Sequence, residues 1–212
     1  MVKNSIILFA FLFIFNSFIA HAANQDFSDQ NFIDDYLPTN ADGTINAVIE
    51  IPAGTNEKWE VTKPDGKLEL EKEDGKPRII KYLGYPGNYG MIPKTILPEE
   101  AGGDGDPLDI LVIGVPLTRG QVVKTKIIGI LKFFDRGERD DKLVAVLPET
   151  ALYSVDNLSQ LDEYFPGIST IIKTWFLYYK GSGRMVFKGF GTVREAKDTI
   201  EQSIEDYQKK IN

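Results

Sequence analysis

Apolar and polar positions alternate over short stretches in the first two thirds of this chain and at helical spacing in the last third. Segments 46–52 (NAVIEIP), 58–63 (KWEVTK), 67–73 (KLELEKE) and 78–83 (RIIKYL) follow a partly period-two pattern, with turn signals such as Pro64-Asp65-Gly66 and Asp74-Gly75 between them. Segments 108–114 (LDILVIG), 121–134 (QVVKTKIIGILKFF) and 142–148 (KLVAVLP) are more continuously apolar. All seven read as strands, mainly antiparallel. The long sixth segment has room to bend, and a small barrel is the closure that removes free sheet edges. Tyr85 and Tyr89 frame a Pro-Gly-Asn turn.

From residue 155 the period changes. Segment 155–165 (VDNLSQLDEYF) reads as a short helix, and in 166–181 Ile168, Ile171, Ile172, Trp175, Phe176 and Tyr179 recur at three and four, one face of a second helix. A strand over 184–193 leads into a last helix with Ala196, Ile200, Ile204, Tyr207 and Ile211 on its stripe. The sequence has no internal repeat. The expectation is one mainly β domain with C-terminal helices, preceded by an N-terminal extension over about 23–45.

The first 22 residues are read apart from the fold. Lys3 precedes an apolar run over 6–20, and Ala20-His21-Ala22 supplies a small-x-small cleavage signal, the pattern of a secretory leader. The run is interrupted by Asn16 and Ser17 and falls short of the roughly 18–20 residues that a membrane span needs. The expectation is an exported chain, periplasmic or secreted, cleaved after Ala22 and without stable membrane association.

Composition then narrows the chemistry. The single histidine, His21, leaves with the leader, and the chain has no cysteine. Ser-His-Asp triads, Cys-His pairs, thiolate zinc sites and disulfides are therefore excluded. A formal charge of -7 and a pI near 4.9 argue against nucleic acid as a partner. Any catalysis must use Asp, Glu, Lys, Arg, Tyr or hydroxyls, and an all-oxygen ligand set selects hard cations such as Mg2+, Mn2+ or Ca2+.

Two acidic stretches supply such ligands. In AGGDGDPLDILVIG (101–114), Asp104, Asp106 and Asp109 fall within six positions. A pair of carboxylates held about 4 Å apart repels by roughly 4 kcal/mol at an effective dielectric near 20, so converging them takes a cation, a shared proton or distance. In FFDRGERDDKLVAV (133–146), Asp135, Glu138, Asp140 and Asp141 form a turn closed by Lys142. Either stretch alone could be a solvated turn, but Asp109 opens an apolar strand and needs a partner if buried. Among the basic and phenolic residues, Lys58 shares a strand face with Glu60, Arg78 opens another strand, and Tyr179 and Lys180 close the amphipathic helix. Each has a plain alternative in solvent exposure or in pairing with the helix dipole. The pieces GGDG and GSGR lack the ending of a P-loop.

The run Asp104-Gly105-Asp106-Pro107-Leu108-Asp109 resembles the D-x-D-P-x-D signature of family I soluble inorganic pyrophosphatases. Glu50 in IEIP, Lys58 and Glu60 in KWE, NYG at 88–90, the stretch 135–146 and Tyr179-Lys180 follow in the family's order, so the resemblance covers about 45–195. It implies an OB-like five-stranded β-barrel with C-terminal helices, a homohexamer, and hydrolysis of pyrophosphate to two phosphates with several Mg2+ ions, Mn2+ being a substitute. By matching position it implies Asp104, Asp109 and Asp140 as the main metal ligands. It likewise implies Asp135, Glu50 and Glu60 as further metal or metal-water partners, and Asp106 as the group that helps to deprotonate the attacking water. Lys58, Arg78, Tyr89, Lys142, Tyr179 and Lys180 are implied as the phosphate-binding set, with Lys81 an alternative to Arg78. The leader departs from the resemblance, since the family is typically cytoplasmic. Two competing readings are a secreted calcium-binding module and a two-metal phosphoesterase acting on organic phosphates. The first fits poorly, because EF-hand ligands fall at positions 1, 3 and 5 with glycine at 6, whereas here the aspartates fall at 1, 3 and 6.

Overall fold

The computed structural model describes residue 27 and residues 29–211, so the expected leader and cleavage site lie outside the described residues. Eleven strands and three α-helices follow in order: β1 (Ile45–Ile51), β2 (Trp59–Val61), β3 (Leu68–Leu70), β4 (Lys72–Glu73), β5 (Lys76–Pro77), β6 (Asn88–Met91), β7 (Asp109–Ile113), β8 (Val122–Asp135), β9 (Glu138–Arg139), β10 (Lys142–Val146), α1 (Leu158–Tyr164), α2 (Ile168–Tyr178), β11 (Met185–Gly191) and α3 (Val193–Ile211).

The main sheet runs β1-β6-β7-β10-β8, and β8 also pairs with β1, so five strands close on themselves as the expected barrel. Its closure depends on β8. The first part of this 14-residue strand pairs with β1 and the last part with β11, and the change of partner is accompanied by a register shift against β10 at Gly129. A Cβ on Gly129 would stand 2.7 Å from the Leu158 side chain, so the bend and the seat of α1 both require glycine there.

Strands β7 and β10 are parallel, with Leu143 beside Ile110 and Val146 beside Ile113. Both faces of this pair are buried. Leu111, Ile113, Val144 and Val146 pack with Ile172, Trp175 and Phe176 of α2, while Ile110, Val112, Leu143 and Ala145 pack with Ala196 and Ile200 of α3. That two-sided burial is why these segments read as continuous apolar runs.

Several sequence expectations change. Segment 78–83 is not a strand: Arg78 O and Ile80 N bond to the backbone at Lys58 and Asn56, Ile79 forms an isolated bridge with Glu57, and the chain then turns inward to bury Tyr85. Segment 67–73 splits into β3, which pairs with β2, and β4, which pairs with β5. The turn expected between Tyr85 and Tyr89 is a bend at Pro86 and Gly87, and from Asn88 the chain forms β6, a fully buried strand that the sequence did not predict, whose Gly90 lies against the Val48 carbonyl, where a Cβ would come within 1.8 Å. Only glycine fits the third position of NYG. On α2, Ile171 lies on the flank of the apolar stripe and is 61% exposed; on α3, Ile211 projects from the last turn. The extension over 23–45 is not a loose linker where it is described. Phe32 is wholly buried among Val48, Val61, Leu68, Met91 and Tyr207, and its amide donates to Gly66 O at 2.9 Å.

Candidate active site

The loop 104–109 is held by its own backbone. Gly105 takes a left-handed conformation (φ 74°), its amide donates to Leu97 O at 2.9 Å, and the Leu97 amide donates to Asp106 O at the same distance. The Asp104 carboxylate accepts from the Asp106 amide at 3.0 Å, a local turn typical of aspartate, and the Leu108 amide donates to Thr95 Oγ1. Asp109 then enters β7. Because β7 and β10 run parallel with Ile110 beside Leu143, Asp109 stands next to Lys142.

Lys142 is the centre of the site. It is 1% exposed, and its ammonium bonds to both Asp109 and Asp140 while lying 5.9 Å from the ring centres of Tyr89 and Phe176. Burial disfavours its charge, but the two carboxylates outweigh burial and raise its pKa well above that of a free lysine. A second ammonium, Lys180, lies 2.7 Å from Asp135 and 3.6 Å from Asp140. Burial opposes ionisation of Asp135 too, yet hydrogen bonds from Arg184 and Lys180 prevail and bring its pKa down to about 2. On the opposite wall Lys58 Nζ lies 3.2 Å from Glu60, and Glu50, nearly fully buried, accepts from the Val61 amide at 2.7 Å. Burial raises the Glu50 pKa to about 8, with Lys58 opposing.

These side chains enclose a cleft of about 230 Å3. Lys58, Glu60, Arg78, Tyr89, Asp104, Asp106, Asp109, Asp140, Lys142, Tyr179 and Lys180 all line it. Glu50 lines an adjoining hollow that shares Lys58, Glu60, Asp106 and Asp109. Asp135 is not among the lining residues; it lies behind Lys180 and Arg184. Lys81 is exposed and away from the cleft, whereas Arg78 lines it and donates to both oxygens of Glu71 at 2.6 and 2.7 Å.

Three partners were not legible in the sequence. Lys63 pairs with the half-exposed Asp106 and donates to Gly105 O at 2.9 Å, although period two puts it on the face opposite Lys58; β2 ends at Val61, so that alternation does not reach it. Arg184, inside the unremarkable GSGR, donates to Asp135 at 2.9 and 3.1 Å. Arg139 binds Asp141 at 2.6 Å, and Asp141 in turn accepts from the Phe133 amide, so this aspartate is committed to the fold.

The repulsion among the acidic residues is thus relieved by lysines. Among the described residues no three carboxylates converge tightly enough to hold a metal ion as they stand. The donor set nevertheless suits hard cations, because every candidate ligand atom is a carboxylate oxygen and an ammonium stands between Asp109 and Asp140 and between Asp135 and Asp140. Asp140 Oδ2 is buried and accepts no hydrogen bond, with the Lys180 ammonium 3.6 Å away. Fixed cations interleaved with carboxylates around one cleft can hold a polyanion together with divalent cations.

Comparisons with known proteins point to a single family. The family model described as inorganic pyrophosphatase matches residues 47–208. The chain is 32% identical to the inorganic pyrophosphatase of Kluyveromyces lactis over 193 residues, 81% of this chain and 67% of that protein. It superposes on the crystal structure of an inorganic pyrophosphatase from Neisseria gonorrhoeae with a TM-score of 0.70 at 33% identity, covering 84% of this chain and 99% of that one. The type I inorganic pyrophosphatase from P. falciparum gives a TM-score of 0.75 at 30% identity, covering 82% of this chain. This chain spans 62% of the P. falciparum one.

Proposed function

The chain belongs to the inorganic pyrophosphatase family, and from that premise we propose that it hydrolyses inorganic pyrophosphate to two phosphates with Mg2+ held in the cleft. The observation that carries the reading is the D-x-D-P-x-D loop facing Lys142 and Lys180 across one cleft, with ammonium groups between carboxylate pairs where divalent cations would be held. Asp104, Asp109 and Asp140, with Asp135, Glu50 and Glu60, are the proposed ligands, and Mn2+ is a proposed substitute. When bound, Mg2+ neutralises charge on the diphosphate and lowers the pKa of water.

This chain's own residues do the rest. Asp106, half exposed and joined to its loop only through Lys63 and its own backbone, accepts the proton of the water that adds to phosphorus, as the bond to the bridging oxygen breaks. Lys58, Arg78, Lys142 and Lys180 hold the phosphate oxygens and compensate the charge that grows on the leaving phosphate, while Tyr89 and Tyr179 border the bound group.

The test is release of phosphate from pyrophosphate by chain 23–212. Activity is expected with Mg2+, none with a chelator, and poor recovery with Ca2+, which is larger and activates water less. Efficient turnover with Ca2+ alone, or none with Mg2+, overturns the reading; release from organic phosphates at a comparable rate favours the phosphoesterase. The leader supports export, and we propose that the mature enzyme recovers phosphate outside the cytoplasm; finding the native protein in the cytoplasm alone refutes this. A homohexamer is the proposed assembly, to be measured by light scattering.

A further inference from the structure

We infer that Arg119 is a positioning residue for the phosphate-binding wall, acting through Lys58, an inference that rests on the role proposed above for Lys58. Arg119 lies in the β7–β8 loop, far in sequence from the residues it touches, and is not in the cleft lining. Its guanidinium makes three contacts, with β1, with Glu57 and with Trp59 of β2. Nε donates to the Glu50 carbonyl at 3.1 Å, Nη2 donates to the Glu57 carboxylate at 3.1 Å, and the guanidinium carbon stands 4.3 Å above the Trp59 ring. Trp59 Nε1 donates to the same Glu57 carboxylate at 3.2 Å, so Glu57, Trp59 and Arg119 form one closed cluster.

The consequence follows from where the clamped residues stand in the chain. Lys58 sits between the two clamped residues, its amide donates to Arg78 O at 3.0 Å, and Lys58 and Glu60 line the cleft whereas Glu57 and Trp59 do not, so a clamp on its two neighbours fixes the direction of the Lys58 side chain into the cleft. The same arginine reaches the backbone of Glu50 in β1, and the adjacent Gly120 amide donates to Ile49 O at 2.7 Å. One side chain therefore sets the spacing between β1 and the short β2, which β3 alone pairs with as a strand. A planar fork that bonds on two edges and stacks on its face can do this; a lysine offers a single point charge.

The test compares steady-state kinetics of the 23–212 chain at saturating Mg2+. Arg119→Ala is expected to raise KM for pyrophosphate about five- to tenfold with kcat within about twofold, the pattern of lost binding without lost chemistry. Arg119→Lys, which keeps a charge opposite Glu57, is expected to recover about half of that loss on a logarithmic scale. On a Lys58→Ala background the same Arg119→Ala change is expected to add less than about twofold, because its effect passes through the missing ammonium. Arg194→Ala, on the exposed side of α3, serves as the control with unchanged KM.

A merely structural arginine would lower the melting temperature while leaving KM of the folded enzyme and its coupling to Lys58 untouched, and that result overturns the inference. Should Arg119→Ala fail to fold, Arg119→Lys decides: a KM within about 1.5-fold of the parent overturns it. If Lys58→Ala itself leaves KM unchanged, the role proposed for Lys58 fails and the inference falls with it. If Lys58→Ala raises KM and Arg119→Ala does not, only the inference about Arg119 is lost.

Discussion

Lys142 shows how a residue can serve folding and function with the same charge. Its buried ammonium is the shared counterion of Asp109 and Asp140, so Lys142→Met in the metal-free protein leaves Asp109 without its ion pair and Asp140 with Lys180 alone, at 3.6 Å. Breaking a buried pair in this way costs about 3–5 kcal/mol, roughly a 10 °C fall in Tm for a domain of this size. Mg2+ is expected to restore more of the Tm in this variant than it adds to the parent, because it replaces the missing charge; equal Mg2+ shifts in thermal melts would contradict the cation-for-cation reading. Asp106 has a different signature. Asp106→Asn removes the proton acceptor but no ligand, so kcat should fall by roughly 10^2 to 10^4 with little change in Mg2+ affinity. Asp109→Asn should instead weaken Mg2+ binding first, and titrating both variants with metal separates the roles. An Asp106→Asn enzyme within about threefold of the parent would sink the assignment.

At the scale of elements, α3 begins with a reciprocal capping box that fixes where it leaves β11. The Thr192 amide donates to Glu195 Oε2 at 2.7 Å, and the Glu195 amide donates to Thr192 Oγ1 at 3.2 Å. Thr192→Ala is expected to cost about 1 kcal/mol, read from denaturant unfolding. The Glu195 carboxyl is held down to about 2 by its hydrogen bond from Lys132, then by those from Thr192. A depressed carboxyl pKa contributes stability above its unfolded value of 4.5 and loses it as the pH falls toward 2. Melting curves of Glu195→Gln and the parent should therefore converge across that window; a constant gap would show that the carboxylate charge is not the cause. The elements with sustained periodicity, α2, α3, β8 and β10, were legible for the same reason that they are stable: each buries one or both faces. The four-residue β6 was not, because its pattern is too short and its glycine is dictated by the Val48 carbonyl across the sheet.

At the scale of the whole molecule, the barrel, the strap from the N-terminal extension and α3 share one cluster around Phe32. Phe32→Ala empties a fully buried position and is expected to cost about 3–5 kcal/mol by chemical denaturation, whereas a strap that merely lies on the surface would lose well under 1 kcal/mol. The sequence by itself determined the ligand chemistry, since a chain with no cysteine and a single histidine, His21, 83 positions before the acidic motif opens at Asp104, brings carboxylate oxygens to that motif; it also determined the strand-then-helix order through its periodicities and the acidic motif through residue spacing. Only the tertiary structure decided which cation meets which carboxylate. The pairing of Lys142 with Asp109 comes from the parallel register of two strands 33 residues apart, and those of Lys63 with Asp106 and Arg184 with Asp135 come from segments that adjoin only after the barrel closes. Periodicity reports which face of an element is buried; it carries no information on what the opposite charge across a cleft will be, because that depends on register and closure between distant parts of the chain.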